Sequence, residues 1–323
     1  MIPAAACFEP LPLQAVGAQL RGARFAPDPA VPARGVCMLL NGQTEFIEKY
    51  FEVIDELRAR GFAVVTMDWR GQGGSVRYLP DHRKGFVASF ADYDEDLSTL
   101  YHWLAAPLLK MNEKPVALAH SMGGHILLRH LVRHPDSFAA AVLCAPMIRV
   151  SWRGQFEWLV RMVTAIQMRL GRGAGWVWGM EGRDPIAMTF ERQMVTSDPA
   201  RFARTHKLIA DDPDLRVAGA SWAWLSAALK SMDWLTAPGR AEAISTPLLV
   251  VGAGNDRICL TPATRAFAAR LPRGEYLEIA GSGHEILMER DIYRAQLWAA
   301  FDTFIGKTLI AGTRDAKSTS GAP

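Results

Sequence analysis

Val116-Ala117-Leu118-Ala119-His120-Ser121-Met122-Gly123-Gly124-His125-Ile126-Leu127-Leu128 is the stretch on which the reading of this chain turns. A short apolar run breaks at a serine set among small residues, and an apolar helical pattern begins at once. Strand, tight turn and helix are written this way when one hydroxyl must stand at a strained corner. A serine hydroxyl is a weak nucleophile at neutral pH unless a base takes its proton. A base and an orienting acid are therefore needed elsewhere in the chain.

Two downstream stretches supply them. Leu248-Leu249-Val250-Val251-Gly252-Ala253-Gly254-Asn255-Asp256 is an apolar strand entering a Gly-rich turn that ends on an aspartate. Tyr276-Leu277-Glu278-Ile279-Ala280-Gly281-Ser282-Gly283-His284 repeats the design and ends on a histidine. Each reactive residue thus falls just past the carboxyl end of an expected strand, the edge at which open parallel sheets bind ligands. Taken singly, a small-x-Ser-x-Gly string, an aspartate or a histidine after glycines is an ordinary turn or cap. Together, in the order Ser, Asp, His, they predict a triad. Ser121 would attack an acyl carbon, His284 would take and return the proton, and Asp256 would hold the tautomer of His284. Glu285 and Asp68 are rival carboxylates. Glu285 adjoins His284 and is expected to point away, and Asp68 is expected to brace a loop.

Three segments resemble the α/β-hydrolase superfamily, and within it the lysophospholipase L2-type and monoacylglycerol lipase-type serine hydrolases. They are Asn41-Gly42-Gln43-Thr44-Glu45-Phe46-Ile47-Glu48-Lys49-Tyr50, Asp68-Trp69-Arg70-Gly71-Gln72-Gly73-Gly74-Ser75, and Ala119-His120-Ser121-Met122-Gly123-Gly124. The resemblance covers roughly residues 35–146 and 245–305, and it uses the same Ser, Asp, His chain order. It implies an oxyanion hole of two backbone N–H groups, from Met122 after the nucleophile and from Gln43 after the strand Val36–Leu40. Loss of one such donor costs on the order of 3 kcal/mol. Two departures stand out: Ala119 replaces the family's usual glycine, and Asn41 replaces its frequent histidine.

Composition narrows the alternatives. With 323 residues, half of them hydrophobic and 21% charged, the chain has the make-up of a globular protein with a sizeable core. A formal charge of +3, with no Lys/Arg stripe interleaved with aromatics, argues against nucleic acid as a partner. Cys7, Cys37, Cys144 and Cys259 lack metal-like spacing, and reduced thiols in a cytoplasm are the simplest account. The opening Met1-Ile2-Pro3-Ala4-Ala5-Ala6-Cys7 lacks the basic start and apolar run of a secretion signal. His130 and His134 stand at i, i+4 with His125 nearby, but no third ligand follows, so packed or solvent-facing histidines are expected. No metal site and no cofactor are expected.

Apolar runs alternate with helical patterns, which predicts an α/β fold: a mostly parallel sheet with helices on both faces. Strands are expected at Val36–Leu40, Ala63–Met67, Val116–Ala119, Ala140–Cys144, Leu248–Val251 and Tyr276–Ile279. Helices are expected at Phe46–Arg60, Asp92–Leu104, Gly123–Arg133, Pro262–Leu271 and Ile292–Phe304. The first thirty residues read as an irregular lead-in with one hairpin near Ala18–Phe25. The alternation stops after Pro146, dividing the chain into a hydrolase core of 1–146 and 236–306, a helical cap insertion of 147–235, and a disordered tail of 307–323. The insertion carries seven of ten tryptophans and seven of thirteen methionines, as expected of an apolar acyl pocket. Its Arg149, Arg153, Arg161, Arg169 and Arg172 suit either an anionic lipid surface or simple solubility.

The expectation that follows is a serine hydrolase that cleaves carboxylic esters of lipid-like substrates, lysophospholipid or monoacylglycerol, through an acyl-enzyme. It would be cytoplasmic, with peripheral contact to the inner membrane face through the cap. Oligomeric state is not legible. Thioesterase, lactonase or acyltransferase chemistry on the same triad stays open, as does a ligand-binding protein that has kept the fold without turnover.

Overall fold

A computed structural model of the protein describes residues 1–152, 154–181 and 184–319, the last nine of these by backbone alone. The strands are β1 (Leu11–Ala15), β2 (Ala18–Phe25), β3 (Gly35–Leu40), β4 (Phe62–Met67), β5 (Lys84–Gly85), β6 (Val116–His120), β7 (Ala140–Cys144), β8 (Gly219–Ala220), β9 (Leu248–Ala253) and β10 (Gly274–Ile279). Eight of them form one sheet in the order β1-β2-β4-β3-β6-β7-β9-β10. The sheet is parallel from β4 to β10, with β1 and β2 antiparallel at one edge.

The central strands β6 and β7 are buried at every position, which is why they read as unbroken apolar runs rather than alternating ones. Side chains still alternate between faces. Ala117 and Ala119 join the apolar cluster on one side of the sheet, and Val116 and Leu118 join the cluster on the other.

The helices are α1 (Phe51–Ala59), α2 (Phe90–Leu100), α3 (Met122–Arg133), α4 (Glu157–Arg169), α5 (Pro199–Asp211), α6 (Trp222–Thr236), α7 (Thr261–Ala268) and α8 (Asp291–Thr319). This is the expected architecture of an α/β-hydrolase, and every expected strand and helix is present within a few residues, with three differences. The hairpin expected near Ala18–Phe25 is present but begins earlier: Ala18–Phe25 is its second strand, β2, and β1 precedes it across Gly17, in the left-handed region with φ 67°. Helix α1 begins with a tighter 3₁₀ turn, Ile47–Tyr50. Helix α8 continues past the expected stop near residue 304 to Thr319, because no proline interrupts it; residues 320–323 of the expected tail lie outside the described residues.

The insertion contributes α4, α5 and α6 and is tied down unequally. In α6, Trp222, Trp224, Leu225, Leu229 and Met232 join the same apolar cluster as the sheet. Helix α5 is fastened by charge: Arg201 bridges Glu52 of α1 and Asp291 of α8, and Arg204 reaches Glu52 as well. Helix α4 instead turns Trp158, Met162 and Ile166 to solvent. Strands β5 and β8 make a short parallel ribbon that links the insertion to the core. Among the described residues, no helix is long and apolar enough to cross a membrane.

Candidate active site

Ser121 sits between β6 and α3 with φ 50° and ψ −113°. A non-glycine residue in this region carries strain on the order of 1–3 kcal/mol, tolerated only where its surroundings impose it. Here the backbone is held on both sides: the Ser121 N–H donates to the Cys144 carbonyl at 3.0 Å, and its carbonyl accepts from Met147 and His125. The turn is closed enough that a Cβ on Gly123 would lie 2.4 Å from the Leu40 carbonyl oxygen. Glycine is therefore required where α3 passes the end of β3. Ala119, buried on β6, is accommodated in place of the family's glycine.

The three loops meet. His284 Nε2 lies 2.9 Å from Ser121 Oγ, and His284 Nδ1 lies 2.8 Å from Asp256 Oδ2. Asp256 is itself held by the N–H groups of Ile258 and Cys259, both donating to Oδ1 at 2.8 Å. With two amides and a ring N–H directed at it, the carboxylate is an acceptor, so Nδ1 carries the proton and Nε2 presents a lone pair to the serine. Ser121 and His284 are 7% and 5% exposed, so the chain of hydrogen bonds is largely shielded from water.

The two expected oxyanion donors follow neighbouring strands, β3 and β6. Met122 opens α3, where the first amides of a helix have no intrahelical acceptor, and Gln43 follows Gly42 just past β3. Among the described residues neither backbone N–H donates to a protein acceptor. The Gln43 loop is braced by Gln72, whose Nε2 donates to the Gly42 and Glu45 carbonyls at 2.8 and 3.0 Å. Asp68 braces it too, accepting from Ile47 N–H at 2.9 Å, Gly74 N–H at 2.8 Å and Arg21 Nε at 2.6 Å. Arg70 is bound to Asp96. Asn41 Nδ2 donates to the Met67 carbonyl at 3.0 Å, linking the oxyanion strand to β4.

Glu285 points away from the triad and pairs with Lys49 at 2.7 Å. The helical histidines are structural: His125 bonds Met147 O and Ser231 Oγ, and His130 bonds Ser137 Oγ.

Several residues around the site had drawn no functional reading. Cys259 places its thiol with Asp256 and His284, ligand atoms all within 4.8 Å of one another. Burial, together with the Asp256 charge, pushes that thiol well above its ordinary range despite a hydrogen bond with Ser121, so it stays protonated. Glu45, Lys49 and His120 form a buried charged cluster under the oxyanion loop. Glu289 fastens the histidine loop to the insertion, accepting from Gly283 N–H at 2.8 Å and Ser197 N–H at 2.9 Å. Glu45, Lys49 and His120 left a trace in the sequence, as members of the oxyanion-loop and nucleophile segments.

The insertion's tryptophans divide. Trp224 is buried with its Nε1 donating to Tyr93 Oη at 3.2 Å, and Trp234 lies under the guanidiniums of Arg129, Arg133 and Arg240. These two rings pack the insertion onto the core. Arg149 and Arg161 pair with Asp233, and Arg153 lies outside the described residues.

Comparison with known proteins places the chain in a family. Residues 31–291 match the family described as serine aminopeptidase, S33. The chain is 31% identical over 290 residues to lysophospholipase L2 of Escherichia coli (strain K12), covering 87% of this chain and 84% of that one. It is 26% identical over 267 residues to the monoacylglycerol lipase of Mycolicibacterium smegmatis, covering 81% and 85%. A soluble variant of monoglyceride lipase from Saccharomyces cerevisiae, solved with a substrate analog, shares the fold with a TM-score of 0.70 at 17% identity, over 93% of this chain and 96% of that one. The chain belongs to the serine aminopeptidase S33 family of α/β-hydrolases, among the serine hydrolases of the lysophospholipase L2 and monoacylglycerol lipase type.

Proposed function

We propose that the protein hydrolyses carboxylic esters of single-chain lipids, a lysophospholipid or a monoacylglycerol, through an acyl-enzyme on Ser121. The observation that carries this reading is the continuous hydrogen-bonded chain from Ser121 Oγ through His284 to Asp256. Ser121 attacks the ester carbonyl while His284 Nε2 takes its proton. The new oxyanion receives the Met122 and Gln43 amides. His284 then protonates the departing alcohol, activates a water to cleave the acyl-enzyme, and returns the proton to Ser121. Asp256 holds the tautomer and offsets the charge that forms on His284. This sequence is complete with the chain's own residues.

The lipid-like substrate is supported by what the relatives are named for. A second support is the outer face of α4, where Trp158, Met162 and Ile166 recur every four residues, with Leu170 just beyond the helix, and are 63%, 45%, 45% and 58% exposed. Such a stripe suits an apolar surface, and we assign the cap to contact with the interface where its substrates reside. The lipid contact rests on this stripe rather than on Arg149 and Arg161, which are engaged in ion pairs.

Ser121→Ala is expected to abolish hydrolysis of p-nitrophenyl esters and labelling by a fluorophosphonate. A panel of graded acyl length, with and without micelles, should show kcat/KM rising with chain length. Retained labelling in the variant, or a preference for acetyl esters or aminoacyl anilides, would overturn the reading.

A further inference from the structure

The buried cluster beneath the oxyanion loop is larger than packing requires. Glu45 is 2% exposed, and its carboxylate takes four donors. Oε1 accepts from Lys49 Nζ at 2.7 Å; Oε2 accepts from Tyr50 Oη at 2.6 Å and from the Gly42 N–H, and faces His120 Nδ1 at 3.0 Å. The other ring nitrogen of His120, Nε2, lies 3.2 Å from the backbone carbonyl of His284. That carbonyl can only accept, so Nε2 bears a hydrogen. The Lys49 ammonium and the Gly42 N–H both point at Glu45 and favour its ionised form, so Nδ1 bears a hydrogen as well. With Glu45 ionised, an imidazolium satisfies both bonds.

Charge balance leads to the same protonation state. Glu45 and Glu285 bring two negative charges, and Lys49 bridges them with one positive charge. A second cation is needed to leave the buried group neutral, and a buried unpaired charge is costly.

We propose that His120 is a permanently protonated positioning residue that couples the oxyanion loop to the catalytic histidine. Through Glu45 it is tied to the Gly42 amide, one residue before Gln43. Through Nε2 it is tied to the backbone of His284, and by the chain it adjoins Ser121. One charged ring thus sets the relative placement of nucleophile, base and oxyanion loop. The shifts are consistent with this. Burial pulls His120 down, but Glu45 outweighs it and leaves the ring above its ordinary range; burial pushes Glu45 up, but Lys49 and His120 hold it well below. The groups that face His120 are Glu45, Lys49, Glu285 and His284, with Tyr50 behind Glu45 and kept as a phenol by burial and by that carboxylate.

The ring centroids of His120 and His284 are 4.9 Å apart.

This inference rests on the triad reading, so its test has one arm that does not need turnover. In imidazole-¹⁵N-labelled Ser121→Ala protein, both His120 nitrogens should show the protonated signature up to pH 8. A neutral tautomer there overturns the proposal whatever the activity assays give. In the otherwise unaltered enzyme, His120→Gln should lower kcat on the order of a hundredfold with KM within about twofold. Glu45→Gln should lower kcat comparably and convert His120 to a neutral tautomer. Wild-type kcat in folded His120→Gln, judged by circular dichroism, also overturns it. Turnover retained by Ser121→Ala would instead refute the triad reading, a result separate from the state of His120.

Discussion

At the scale of single residues, the site depends on who donates to whom. Asp256 accepts two backbone amides and the His284 ring N–H, and this fixes which imidazole nitrogen faces Ser121. An amide in its place would donate to Nδ1 and invert the tautomer. Asp256→Asn is therefore expected to reduce kcat by about ten-thousandfold with little change in KM, measurable by steady-state hydrolysis of a soluble ester. Gly123 is a steric case. An added methyl would press on the Leu40 and Asn41 carbonyls, so either α3 or the oxyanion strand must shift. Gly123→Ala should cost about 1–3 kcal/mol, read as a lower thermal midpoint, and should reduce kcat as well, because both oxyanion donors flank that contact.

Among the elements, the three insertion helices carry different duties. Helix α6 is part of the hydrophobic interior, α5 is held by ion pairs, and α4 keeps an apolar stripe outside. This division predicts where substitutions separate binding from folding. Trp158→Asp with Met162→Asp removes exposed apolar surface without disturbing a buried contact. The pair should leave hydrolysis of a short soluble ester within about twofold, while vesicle co-sedimentation and micelle-stimulated activity fall several-fold. Undiminished vesicle binding would remove α4 from the interface. A stripe of this kind is difficult to recognise from sequence, because its spacing is that of any amphipathic helix, whose apolar face is ordinarily buried.

Across the whole molecule, acid sensitivity follows from the buried histidines. Burial, reinforced by Arg129, lowers His125 to about 3, and burial with His134 and other cations lowers His130 to about 4. Below the ordinary imidazole value of 6.5, the unfolded chain takes up protons that these folded rings refuse. Proton uptake then favours unfolding, so their contribution is complete above about pH 6.5 and declines as pH falls toward 4. Glu52 acts lower. Burial opposes its ionisation, but Arg201, Arg204 and Arg294 outweigh that and bring it to about 2. Its contribution is present above the ordinary value of 4.5 and is lost as pH falls toward 2. The thermal midpoint should therefore fall in two stages on acidification. His130→Gln should flatten the first stage and Glu52→Gln the second; a midpoint constant from pH 7 to 4 would contradict the assignment.

The three residues that meet at the candidate site, and the sheet, were readable from the sequence because both are local. A buried parallel strand needs an unbroken apolar run, and a catalytic loop needs glycines directly after it, so Ser121, Asp256 and His284 each marked themselves within a dozen residues. The first strand of the lead-in hairpin was obscured by proline and alanine, and the length of α8 by a polar sequence with no breaker. What only the tertiary structure decided is which distant groups share a low-dielectric space. Nothing in the sequence says that Glu45, Lys49, His120 and Glu285 meet, for they span 241 positions by their numbering. Their protonation is set by burial and by each other's charge, quantities that exist only once the sheet has brought the loops after β3, β6 and β10 to one edge.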